Sequence, residues 1–194
     1  MKLEMISLED SRVKLIPLSP SHCKQLLHIA MEPGLTKYSP SEINSESALT
    51  AYIGHALDQR DKKLAIPFLV YDKNTGTTAG CTRYMHIEWK NKVLHIGATW
   101  LGREYHGSGL NTHMKQLMID YAFQTLQFEK VEFRIDERNT RSRKAVEKLG
   151  AVLEGILRKN VYLTDGFKRD TCCYGLFPEA WENTKTDLLS SSGF

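Results

Sequence analysis

The chain has 194 residues, 41% hydrophobic and 25% charged, with a net charge of +3 at pH 7; this is the make-up of one globular domain with a sizeable core. The mild positive balance gives little support to nucleic-acid binding but suits a small polyanion, and no apolar run reaches the length of a membrane span. Four cysteines (Cys23, Cys81, Cys172 and Cys173) without a Cys-x-x-Cys pair, no His cluster at zinc spacing and no signal-peptide core at Met1 to Met5 predict a reduced, cytoplasmic protein without disulfides or bound metal.

Residues 11–18 alternate, with Val13, Leu15 and Pro17 on one side and Lys14 and Ile16 on the other, and predict a first strand. Ser19 and Pro20 open a helix as N-cap and first helical residue. Leu26, Leu27 and Ala30 supply its apolar face. Residues 32–44 form an irregular loop. A second helix covers about 45–61, with Leu49, Tyr52, Ile53 and Leu57 as its stripe. Residues 65–71 and 77–87 read as a hairpin around the turn from Asp72 to Gly76. Another strand follows at 93–101, then a helix at 109–127 carrying Leu110, Met114, Leu117, Met118, Tyr121 and Ala122 at spacings of three and four. A short strand at 131–135 and a helix at 139–149, stopped by Gly150, come next. Strands at 151–163 and 167–176 flank a turn at Asp165 and Gly166, where Cys172 and Cys173 fall on opposite faces. A closing helix at 178–189 around Trp181 and a frayed polar tail at 190–194 end the chain. The order is that of a mixed α/β, or α+β, single domain.

His106, Gly107, Ser108 and Gly109 stand between the strand 93–101 and the helix after it. Glycine there lets the chain turn sharply and leaves amides bare, and the first amides of a helix attract anions. Arg103 and His106 add donors. The spacing fits neither a P-loop nor a Rossmann turn, and a lone Gly-x-Gly is equally a tight connection. Asn139 and Ser142 share a helix face with Val146 and Leu149, which points them inward at the helix start, where such residues also act as caps. Arg138, Arg141, Arg143 and Lys144 crowd that helix N-terminus against the dipole, and a bound polyanion would relieve the repulsion.

Taken together, Trp100-Leu101, Gly107, Gly109, Asn111-Thr112, Asn139, Ser142, the run from Glu147 to Ala151, Glu154-Gly155, Asp165-Gly166 and Arg169-Asp170-Thr171 resemble the GNAT superfamily of N-acetyltransferases, most nearly its RimJ/RimL-like branch. The resemblance covers about residues 11–181. It implies a single N-acetyltransferase domain over 1–194, built on a central twisted, mostly antiparallel sheet flanked by helices, with acetyl-CoA as co-substrate. By that resemblance His106, Gly107, Ser108, Gly109, Leu110, Asn111 and Thr112 wrap the pyrophosphate, although His106 and Asn111 depart from the usual residues. Trp100 and Leu101 mark where the strand splays to admit the pantetheine arm. Arg103, Asn139, Ser142, Arg143 and Lys148 complete the expected cofactor contacts.

Acetyl transfer needs a deprotonated amine, a donor for the developing oxyanion and a proton for the leaving thiolate. The resemblance implies a backbone amide in the stretch Thr99 to Leu101 as the oxyanion donor. The tyrosine acid of many relatives is replaced by Val146, leaving Ser142, which matches the serine of the ribosomal-protein branch near the thiol, as the expected catalytic acid. His95, just ahead of Ile96, occupies the place of a family glutamate base, and its imidazole is expected to titrate between about pH 5.5 and 7.5. Gly97 beside it is expected to leave room for an amine. A carboxylate position of ribosomal-protein acetyltransferases is Val161 here, so a water chain is the other candidate base. The expected partner is a small-molecule or peptide amine, with no nucleic acid or membrane partner. Many relatives also form homodimers. The alternative is a non-catalytic acyl-CoA-binding or sensor module.

Overall fold

The computed structural model describes residues 6–191. The expected absence of a signal core at residues 1–5 falls outside it, as does the end of the tail at 192–194.

A short strand that the sequence pattern did not reveal, β1 (Leu8–Glu9), pairs with β2 (Val13–Pro17). A 3-10 turn at Pro20–His22 leads into α1 (Cys23–Ala30). The Ser45 hydroxyl accepts from the Ala48 amide and starts α2 (Glu46–Asp61). Three antiparallel strands follow, β3 (Ile66–Asp72), β4 (Thr77–Glu88) and β5 (Val93–Leu101). The expected long helix divides into α3 (Leu110–Asp120) and a π-helical turn at Tyr121–Thr125. Then come β6 (Lys130–Asp136), α4 (Thr140–Glu147), β7 (Val152–Tyr162), β8 (Lys168–Leu176) and α5 (Pro178–Ser191). α5 reaches two residues into the segment expected as tail.

All eight strands form one sheet in the order β1-β2-β3-β4-β5-β6-β8-β7. Every neighbouring pair is antiparallel except β5–β6. Apolar side chains cover both faces. On one face Leu110, Met114 and Met118 of α3, Val146 of α4 and Trp181 of α5 pack against Tyr84, Ile96 and Phe133. On the other, Leu26 and Ile29 of α1 and Leu49 and Ile53 of α2 pack against Leu69, Cys81 and Trp100. Burial pushes the Cys81 thiol up to about 12, so it behaves as a small apolar side chain. Cys172 is buried and Cys173 half-buried, on opposite faces of β8 as expected. β7 is the outer strand and keeps Val152, Leu153, Ile156 and Leu157 exposed. Among the described residues no helix is long and apolar enough to cross a membrane, and no cluster of metal-ligating side chains occurs.

Candidate active site

The parallel ladder between β5 and β6 is short. Val93 faces Lys130, Leu94 faces Val131 and His95 faces Glu132, and there it stops. β5 continues to Leu101 against β4, and β6 continues to Asp136 against β8. The two strands therefore diverge into a wedge in the middle of the sheet. A bulge accompanies the split: Arg83 faces Gly97 and Cys81 faces Trp100, so β5 has one extra residue, and Ala98 takes a φ of +48°. A bulge bends its strand and sharpens the twist, which carries β5 away from β6. The opening thus begins at Ile96, earlier than the Trp100–Leu101 position expected from the sequence.

At the open end of β5, the 3-10 turn Arg103–Tyr105 leads into the glycine turn. Gly107 and Gly109 have φ of +78° and +84°, left-handed conformations that favour glycine. The Ser108 hydroxyl donates to the Tyr105 carbonyl at 2.8 Å and accepts from the Leu110 amide. Among the described residues the amides of Gly107, Gly109 and Asn111 find no acceptor. A Cβ on either glycine would meet nothing within 4 Å, so no protein atom crowds the outside of the turn there. This cradle fits a pyrophosphate.

α4 brings its own N-terminus to the same place. Asn139 Oδ1 accepts from the Ser142 amide at 3.2 Å, which makes it the helix cap. The Ser142 side chain is half-buried. Arg141 donates to His106 Nδ1 at 3.1 Å and ties α4 to the glycine turn. Burial, and then the Arg141 cation, hold the His106 imidazole below its usual range. Several expected contacts lie elsewhere. The Arg103 amide donates to Glu32, and its guanidinium reaches back to the Pro33 carbonyl. Arg143 donates to the Tyr174 hydroxyl and the Glu137 carbonyl. Lys148 caps the far end of α4, about 14 Å from Asn139 at the helical rise. The expected crowding of four cations is corrected too: Arg138 is paired with Asp136 and stacked on Phe167, and Arg143 is engaged by Tyr174.

His95 is buried at the root of the wedge, its Nε2 2.9 Å from Glu132 Oε2. Burial pushes the imidazole down to about 4, although Glu132 pulls the other way. Burial also opposes ionisation of Glu132, but Lys130 and His95 together hold that carboxyl below its usual range. The expectation that His95 titrates between pH 5.5 and 7.5 is corrected by this burial. The space expected beside Gly97 is filled, since a Cβ there would lie 3.0 Å from the Met85 sulfur.

A family profile for the acetyltransferase (GNAT) domain matches residues 12–152. The chain belongs to the GNAT acetyltransferase family. It is 30% identical over 117 residues to "Putative ribosomal N-acetyltransferase YdaF" of Bacillus subtilis (strain 168), covering 60% of this chain and 61% of that protein, and the name agrees with the RimJ/RimL-like resemblance. A crystal structure described as a "putative acetyltransferase" from T. thermophilus superposes with a TM-score of 0.84 at 31% identity, over 95% of this chain and 96% of that one. The ribosomal-protein-S5-alanine acetyltransferase of Vibrio fischeri shares the fold, with a TM-score of 0.74 at 22% identity over 91% and 98% of the two chains. The mixed, mostly antiparallel sheet flanked by helices is thus the GNAT fold.

Within this GNAT frame the structure adds residues that sequence reasoning passed over. Arg83 is buried on the α1–α2 face, its guanidinium 4.6 Å from the Tyr52 ring, with no carboxylate within ion-pair distance among the described residues. The Tyr52 hydroxyl donates to the carbonyl of the bulged Ala98. On the α3 face, Lys115 is buried at the wedge itself. Its signal was present in the sequence: Asn111, Lys115, Met118 and Ala122, at spacings of four, three and four, put a lysine on the inward stripe of an apolar helix. Arg83 gave no such signal, because a cation in a strand is ordinarily solvated.

Proposed function

We propose that the protein transfers an acetyl group from acetyl-CoA to a primary amine by direct attack in a ternary complex. The observation that carries this is the wedge between β5 and β6, which ends at the bare amides of Gly107, Gly109 and Asn111. These amides would hold the pyrophosphate, with the Arg141–His106 pair beside it. The unpaired edge of β5 from Ile96 to Leu101 would take the pantetheine arm as an added strand takes its neighbour. Backbone amides around Thr99 and Leu101 lie along that edge and supply the oxyanion donor. Asn139 keeps its side-chain amide nitrogen for the arm while its oxygen caps α4, and the Ser142 hydroxyl donates a hydrogen bond to the sulfur.

The acceptor would approach from the α1–α2 face. Arg83 there favours an amine that carries its own carboxylate, since a guanidinium pairs with carboxylates in a fork geometry. The amine proton leaves through water, because His95 is buried at the closed rung of the ladder rather than in the open wedge. Release of free CoA thiol from acetyl-CoA, measured with a panel of peptides, amino acids and polyamines, tests the reading. It is expected to find turnover with carboxylate-bearing amines and weaker turnover with their amides or esters. Saturable acetyl-CoA binding with no turnover across the panel would support the non-catalytic sensor reading instead.

A further inference from the structure

Lys115 points from α3 into the interior and is 7% exposed. Its ammonium lies 3.5 Å from the Thr99 hydroxyl and 5.4 Å from the centre of the Phe133 ring. Thr99 belongs to β5 and Phe133 to β6, and both lie beyond the last paired rung at His95 and Glu132. The ammonium therefore sits across the wedge, on its α3 side. No carboxylate lies within ion-pair distance of it among the described residues.

A buried cation without a counter-ion is costly, and an apolar replacement of similar volume ordinarily stabilises. Its neighbours on the same helix, Met114 and Met118, are fully buried and show what packing alone would select. Nor does a hydrogen-bond network account for it. Its one hydrogen bond among the described residues is the long contact to Thr99, whose hydroxyl already shares a 2.8 Å bond with Thr82.

We propose that Lys115 is the catalytic acid that protonates the leaving thiolate, a role for which this chain has no tyrosine at Val146. The inference rests on the acetyl-CoA reading above. The amine attacks the thioester carbonyl, forming the C–N bond and an oxyanion. Collapse of that intermediate breaks the C–S bond, and the electron pair on sulfur takes a proton from Lys115 Nζ to give free CoA thiol. The proton released from the amide nitrogen passes to water, and the neutral Lys115 amine regains one from water. Burial pushes the ammonium down to about 8, toward the range of an ordinary thiol near 8.5, which weakens its hold on the proton.

The groups facing Lys115 leave burial as the acting cause. From β4 come Thr82 and Tyr84, whose hydroxyl donates to the Met118 carbonyl. From β5 comes Thr99, and from β6 Phe133; Glu132, Arg134 and His95 alternate to the opposite face. On α3, His113 is turned away to Asp10. On α4, Arg143 is held by Tyr174 and Glu137.

The test needs no acceptor. Calorimetry first establishes CoA binding at mildly acidic pH, and the ultraviolet absorbance of the thiolate then follows ionisation of bound CoA. Wild type is expected to ionise bound thiol about 1–3 pH units below Lys115→Met, as an adjacent cation requires. Lys115→Arg, which keeps the cation but cannot give up its proton, is expected to keep that ionisation low. With an amine from the panel, both variants are expected to lose turnover by about 10²-fold or more. Lys115→Met is also expected to melt higher than wild type, which a packing lysine would not do. Equal thiol ionisation in wild type and Lys115→Met, with both binding CoA, overturns the proposal and leaves the acetyl-CoA reading standing. Absence of CoA binding by wild type overturns both. Should Lys115→Met not fold, Lys115→Gln takes its place in the same titration.

Discussion

His95 and Glu132 close the last rung of the β5–β6 ladder, and burial keeps the imidazole neutral down to about pH 4. An unfolded chain takes up the same proton near 6.5. Between those values the unfolded state binds more protons than the folded one, so stability rises with pH and is lost on acidification through that window. The thermal midpoint is therefore expected to fall as pH drops from about 6.5 toward 4, and His95→Gln is expected to fall less steeply. Activity with a suitable amine is expected to show no His95-dependent limb between about pH 5.5 and 7.5. A wild-type limb near 6.5 that vanishes in His95→Gln would restore the ring to the role of base. The sequence placed His95 on the right strand but could not show Glu132 opposite it. A parallel rung joins residues that are 37 positions apart, and no local pattern records which strand becomes the neighbour.

Among the elements, the glycine turn was the most legible, because glycine at a strand-to-helix junction has a local conformational cause. The structure also refines how it is best tested. With φ of +84° and open space where a Cβ would stand, Gly109→Ala meets no atom of the protein. It carries only the left-handed backbone cost of about 1–2 kcal/mol. A β-branched replacement would add strain of its own. Gly109→Ala is expected to stay folded with a modestly lower melting temperature and to bind acetyl-CoA at least about tenfold more weakly, through the methyl group over the amides. A folded variant with wild-type affinity would remove the turn from the site. The helix at 139–149 was legible as an amphipathic pattern, and its Asn139 cap is real. The partners of its arginines were not, since Tyr174 and Asp136 reach them through tertiary contacts. The bulge at Ala98 was equally hidden: it depends on the register of β4 against β5, and alanine is an ordinary residue to find in a strand.

At the scale of the whole molecule, local hydrophobic periodicity recovered the helices and every strand except β1, and the motif order recovered the family. It could not give the strand order, in which β8 inserts between β6 and β7. The wedge follows from the register, since the β5–β6 ladder ends at His95 and Glu132 and the bulge at Ala98 lies just beyond it. The two helical layers then give its sides different chemistry. The α3 side carries Lys115, and the α1–α2 side carries Arg83, His95 and Glu132. The most direct test is an amide chemical-shift titration with acetyl-CoA. The largest saturable shifts are expected at Gly107, Gly109 and Asn111 and along β5 from Ile96 to Leu101, with little change in β1 to β3. Saturable shifts confined to other strands, or no saturable shift at all, would contradict an acetyl-CoA site in the wedge.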